Sequence, residues 1–236
     1  TLFPYTTLFR SLLIGLGWSG VVILYWIRRR QQLVINKPIH IEMIFLIGAT
    51  LLAFIMPVQR EIALWMSGIL VLIFVVYMWQ QSKSEAEEPH LFGPAATIGS
   101  LPTNRRRAAI VILFIYAAIT ILLAAEPFAE GLIDVGKTLA ISEFILIQWV
   151  APLASEAPEM IIALILVSRG NAIGALILLI SSKINQWTLL VGTLPVIYSV
   201  SLGEASGIPL DSRQGGEIFL TAAQSLFAVV LLVNKR

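Results

Sequence analysis

The chain has 236 residues, of which 58% are hydrophobic and only 13% charged, with a mean hydropathy of +0.87. A soluble globular chain is about half apolar and about a quarter charged, so a water-soluble domain is excluded. The formal net charge of +2 comes from loop arginines, which argue membrane topology rather than nucleic-acid binding, and the absence of cysteine excludes disulfides, thiolate metal sites and cysteine nucleophiles.

Residues 1–11, TLFPYTTLFRS, resemble the translation of a common sequencing adapter and are set aside from the fold argument; an ordinary amphipathic N-terminus is the alternative. On the adapter reading the protein begins further upstream, and the end at Asn234–Arg236, directly after an apolar run, is a second candidate for truncation.

Seven apolar segments follow, at 12–27, 41–57, 62–79, 108–126, 138–168, 172–200 and 216–233. They suit a hydrocarbon core roughly 30 Å thick, and predict an all-α, polytopic transmembrane bundle of about seven segments. Between the third and fourth lies a polar stretch, 80–107, that reads as a linker between two membrane halves. With the Arg28–Arg30 end of the first segment placed in the cytoplasm, alternate threading puts Arg28, Arg29, Arg30, Lys37, Lys83, Arg105, Arg106, Arg107, Arg169, Lys235 and Arg236 on that side. Only Arg60, Lys137 and Arg213 fall on the other. That asymmetry is the positive-inside pattern. Trp26, Tyr77 and Trp79, near segment ends, read as part of an aromatic belt.

Two segments are too long for simple spans. As one straight helix, 138–168 would measure about 46 Å, and it contains Pro152 and Pro158. Proline removes a donor and clashes with the preceding turn, so a broken or kinked helix is expected around 151–158. The segment 172–200 is similarly long, with a polar cluster in its middle. Unwound helices near the midplane are a common device for coordinating ions; a plain proline kink is the alternative.

The polar residues sharpen that expectation. Counted from the loop at Arg169, Glu159 lies about 15 Å deep, and counted from Ala172, Lys183 lies at a similar depth. A tight turn at 168–171 makes the two helices antiparallel neighbours, so Ser155, Glu156 and Glu159 can face Ser181, Ser182, Lys183, Asn185 and Gln186. A charge at the centre of a membrane helix costs roughly 2.5–3.5 kcal/mol on insertion scales, which points to function. A Glu–Lys pair that only locks two helices together is the competing account. Glu126, Glu130, Asp134 and Glu143 sit at edges or helix ends, and His40 and His90 show no partner pattern. An intramembrane enzyme is disfavoured: there is no His-Glu-x-x-His, no pair of buried aspartates and no buried histidine beside a serine.

Residues 108–200 resemble the second α-repeat of the calcium/cation antiporter superfamily, which comprises the sodium/calcium exchangers and their cation/proton relatives. Residues 154–159, ASEAPE, match the family's Gly-Thr-Ser-Leu-Pro-Glu signature without a gap, and 181–186, SSKINQ, match its Gly-Ser-Asn-Ile-Phe-Asn signature more loosely. The resemblance implies an inverted-repeat antiporter fold with its first repeat truncated: 12–79 as the tail of the first repeat, 80–107 as the cytoplasmic linker and 108–236 as the second repeat. It implies a secondary active antiporter exchanging Ca2+ or another cation for Na+ or H+, by alternating access at a midplane site in a prokaryotic inner membrane. A degenerate, non-transporting scaffold of the same fold is the alternative.

The expected partners are the lipid bilayer and small inorganic cations, carried as cargo rather than as cofactors, with no nucleic acid. By the resemblance Glu159 is the central cation-binding carboxylate, Ser155 takes the place of a ligating threonine, and Ser182 and Gln186 match oxygen donors of the following helix. Glu156, Lys183 and Gln186 depart from the signatures. The expectation is that Glu156 and Lys183 pair and replace one bound cation, with Asn185 as a further oxygen donor.

Overall fold

The computed structural model describes residues 13–35, 39–83, 93–140 and 150–233; the leader 1–11, Lys37, His90, Glu143 and residues 234–236 lie outside them. In chain order a π-helical turn, Leu13–Trp18, leads into α1 (Ser19–Arg29), then α2 (His40–Gln59), the short strand β1 (Glu61–Ile62) and α3 (Leu64–Lys83). After these come α4 (Pro94–Gly99), α5 (Thr103–Thr138), α6 (Ala151–Ser168) and α7 (Ala172–Asn185). A second π-helical segment, Gln186–Leu190, joins α7 to α8 (Val191–Leu202), which is followed by β2 (Ile208–Pro209) and α9 (Ser212–Val233). The helical architecture agrees with the sequence. Five described helical runs are long and apolar enough to cross a membrane: α2, α3, α5, the continuous run Ala172–Leu202, and α9.

The chain divides into two compact units, Lys83–Leu146 and the remainder. In the larger unit, α9 lies along α2, α7 packs on α6 and α2, and α1 packs on α6 and α7. Lipid tails are as apolar as leucine, so these helices are held by close packing rather than by escape from water. Small buried residues permit the approach: Ala49 and Ala53 on α2, Ala163 on α6, Ala172 and Ala175 on α7, and Ala222 on α9. Phe54 and Phe219 meet edge-on with ring centroids 5.2 Å apart, which fixes the register of α2 against α9.

The two ends of this unit are tied differently. At one, Arg28 Nη1 donates to the Ser168 carbonyl at 3.0 Å, joining the C-terminal ends of α1 and α6. At the other, β1 and β2 pair antiparallel, Glu61 opposite Pro209 and Ile62 opposite Ile208. The continuous run Ala172–Leu202 connects these ends. Arg28 and Arg169 therefore lie at one end and Arg60 and Arg213 at the other, the partition that alternate threading of the sequence gives.

In the smaller unit α5 is a single helix of 36 residues that continues through Pro127, about 54 Å long. The sequence predicts a span ending at 126 and a short loop after it; instead Ala124, Ala125, Glu126, Ala129 and Glu130, all from helix-tolerant residue types, carry the helix on to Thr138. α6 is also continuous. Pro152 falls in its first turn and Pro158 inside the helix, so of the broken or kinked helix expected at 151–158 the break is absent, and a kink at Pro158 is compatible with the continuous helix. Residues 141–149, the rest of that predicted segment, lie outside the described residues.

α8 approaches α3 tightly at Gly192. A Cβ there would stand 3.0 Å from Leu70 Cβ and 3.2 Å from Val71 Cγ2, whereas a Cβ at Gly48 on α2 meets nothing within 4 Å. Gly192→Val is expected to cost about 1–3 kcal/mol through overpacking, read as a lowered Tm of the detergent-purified protein, while Gly48→Ala leaves Tm unchanged or slightly raised. Equal Tm values for the two variants would contradict this packing.

Candidate cation site

Two local devices place α6 and α7 side by side. α6 ends in a Schellman turn, with Gly170 N–H bonded to the Val167 carbonyl and Asn171 N–H to the Leu166 carbonyl, both at 2.9 Å. Gly170 adopts φ +90°, and a side chain there would meet Arg29 Nη2 at 3.1 Å, so this turn requires glycine. Asn171 then caps α7, its Oδ1 accepting from Gly174 N–H at 2.9 Å. The result is an antiparallel pair whose register brings Glu156 on α6 opposite Gln186, the first residue after α7.

At that level Gln186 Nε2 donates to Glu156 Oε1 at 3.0 Å. Glu156 is 3% exposed and Lys183 is fully buried. Glu159 and Gln186 are half-buried, and each holds one buried oxygen, Glu159 Oε2 and Gln186 Oε1, with no hydrogen-bond partner among the described residues. The α6–α7 register sets Glu159 level with Lys183, one helical turn nearer the Schellman turn than the Glu156–Gln186 bond. Of the other candidates, Ser182 is half-buried, while Ser155 and Asn185 are exposed. Among the described residues no three His, Cys, Asp or Glu side chains gather as a metal cluster. A hard cation here would therefore take amide, hydroxyl or backbone oxygens beside its carboxylates.

Behind the site, Lys183 Nζ lies 5.7 Å from the centroid of the Trp187 ring, within cation–π range. Trp187 is fully buried and donates Nε1–H to Ser225 Oγ on α9 at 3.1 Å. Ser225 in turn donates to the Thr221 carbonyl at 2.9 Å. At this point the helix widens: Val191 N–H reaches back five residues to the Gln186 carbonyl, and Thr188 Oγ1 takes the Ile184 carbonyl at 2.6 Å. A side chain bonding its own helix in this way competes with the regular ladder, and π segments are frequent at functional positions.

Several of these features escaped sequence reasoning. The π segment has no periodicity signal, although Thr188, four residues after Ile184, is its local mark. Ser225 and Thr221 lie on the polar side of an otherwise ordinary span. Tyr77, read from sequence as part of the interfacial belt, is 3% exposed, and its hydroxyl bonds Ser181 Oγ at 2.7 Å. Trp26 and Trp79 are exposed, as a belt requires.

Comparison with known proteins follows the same lines. Residues 109–235 match the family described as sodium/calcium exchanger protein. No curated protein matches the sequence. A crystal structure of the H+/Ca2+ exchanger CAX is similar at 41% identity and a TM-score of 0.92, the match covering 98% of this chain and 59% of that one. The sodium-calcium exchanger NCX_Mj, soaked with Na+ and Ca2+, is 18% identical with a TM-score of 0.60, covering 99% of this chain and 68% of that one; this likeness is one of fold. The chain thus spans 59% of the length of the CAX exchanger it matches. With the family match extending over more than half of its residues, the chain belongs to the sodium/calcium exchanger family.

Proposed function

We propose that the protein works as a secondary active cation antiporter, in which α6 and the α7–π–α8 run supply one side of a midplane site visited alternately from the two faces of the membrane. The carrying observation is the pair of buried, unengaged oxygens, Glu159 Oε2 and Gln186 Oε1, on facing helices deep in the span. One is carboxylate and one is amide carbonyl, and both are hard donors of the kind Ca2+ and Na+ prefer. Glu159 is the titratable ligand, holding a cation or a proton in turn. Gln186 is anchored through its amide nitrogen to Glu156, so its carbonyl is left for the cation. Ser182 and Ser155 contribute hydroxyl oxygens, and Asn185 lines the approach.

Lys183 sets the charge of the site. Buried beside two carboxylates, its ammonium replaces one bound cation and leaves a single net negative charge for cargo, with Glu156 as its partner. This arrangement favours exchange of fewer ions and suits Ca2+ against H+, in line with the 41% identity to an H+/Ca2+ exchanger. The membrane in this reading is a prokaryotic inner membrane, with the 80–107 linker on its cytoplasmic side.

Gradient-driven Ca2+ uptake into proteoliposomes holding the full-length protein tests this reading. Glu159→Gln is expected to lower uptake at least about a hundredfold, as loss of a buried charged ligand costs several kcal/mol. A folded protein that moves no cation under Ca2+, Na+ or H+ gradients would instead establish the non-transporting scaffold.

Lys183→Asn provides a second test. It is expected to add a bound cation per cycle, read as a changed reversal potential; an unchanged coupling ratio would mean that Lys183 does not stand in for a cation.

A further inference from the structure

A second, partly buried polar chain crosses three helices at the end of the bundle where α2 begins and α3 ends. Gln81 on α3 spends both hydrogens of its amide nitrogen: one on Glu42 Oε1 in the first turn of α2 at 2.8 Å, the other on Tyr77 Oη at 3.1 Å. Tyr77 Oη and Ser181 Oγ on α7 are 2.7 Å apart, and the Tyr77 proton is available for that bond because Gln81 supplies the donor on its other side. Glu42 is 7% exposed and Tyr77 3% exposed, and the Tyr77 ring is wedged edge-on against Phe45 at 5.3 Å. None of these contacts touches the cation site directly.

Helical geometry connects them. At about 100° per residue, Ser181 lies some 140° around the axis from Gln186 and some 160° from Lys183, so the chain grips α7 on a face away from the site. A helix held on one side by a buried hydrogen bond and packed on the other by Trp187 cannot turn about its axis without breaking one of the two. We propose that Glu42, Gln81 and Tyr77 form a positioning unit which, through Ser181, fixes the rotation of α7, and so keeps Gln186 bonded to Glu156 with its carbonyl turned to the cation. Glu42 orients the Gln81 amide, Gln81 orients the Tyr77 hydroxyl, and Tyr77 holds the helix. This inference rests on the exchanger reading above.

Tyr77→Phe removes one oxygen and keeps the ring. In proteoliposomes with an imposed proton gradient, the Ca2+ concentration for half-maximal uptake is expected to rise about tenfold, the worth of one buried hydrogen bond, with the maximal rate within about twofold of the parent. The same variant in detergent, without Ca2+, should unfold no more than about 4 °C below the parent Tm, while its stabilisation by added Ca2+ shifts to higher concentrations. Ser181→Ala should reproduce the effect, and the double variant should be no worse than either single one, as expected for two ends of one bond. An unchanged half-saturation, or a loss confined to Tm or to maximal rate, overturns the proposal and leaves the exchanger reading intact. A parent protein that shows neither Ca2+ uptake nor stabilisation by Ca2+ overturns both.

Discussion

Inside a bilayer no water is at hand to solvate a buried carboxylate, so each polar atom on α6 and α7 must find its partner in another side chain, a backbone group or a bound ion. The Oε1 atom of Glu156 meets that constraint through Gln186, and much of the local architecture follows. The bond holds only if α6 and α7 run antiparallel in one register, which the Schellman turn at Gly170 and the Asn171 cap impose. It also commits the amide nitrogen of Gln186 and thereby decides which of its atoms remains for a ligand. Lys183, one turn away and wholly buried, has the face of Trp187 within cation–π range.

α7 and the π segment after it thus carry three tasks on separate faces. One face binds Tyr77 through Ser181, one presents Gln186 to Glu156, and one buries Trp187 against Ser225 of α9. Gln186 and Trp187 open the π segment, whose extra residue shifts the side chains of α8 around the axis. Gly192 then comes down on α3, where a Cβ would stand 3.0 Å from that of Leu70.

The class and the helical nature of this fold were open to a reader of the sequence, because apolar runs and arginine placement are one-dimensional signals. The motif residues Glu156, Glu159, Lys183 and Gln186 were open as well: charges in apolar runs are rare enough to stand out singly. What stayed hidden depends on geometry between distant residues. Tyr77 looks like any interfacial tyrosine until its hydroxyl is found beside a serine 104 positions on. Glu42 looks like a solvated helix start until Gln81 is found over it. The helix across 126–138 was missed because charged residues after an apolar run suggest a loop, although glutamate and alanine favour helix. The sequence left a break and a kink both open at 151–158, because a proline's position in its helix, first turn or interior, decides what it disrupts.

The two-residue pairing of β1 with β2 has a mechanical meaning out of proportion to its size. It fastens the turn between α2 and α3 to the segment between α8 and α9, so four helix ends share a single rivet. α9 is thereby linked to the α2–α3 hairpin, and α3 bears the Tyr77 hydroxyl bonded to α7 nearer the opposite end. The pairing and the Tyr77–Ser181 bond thus tie α3 to its neighbours near both of its ends.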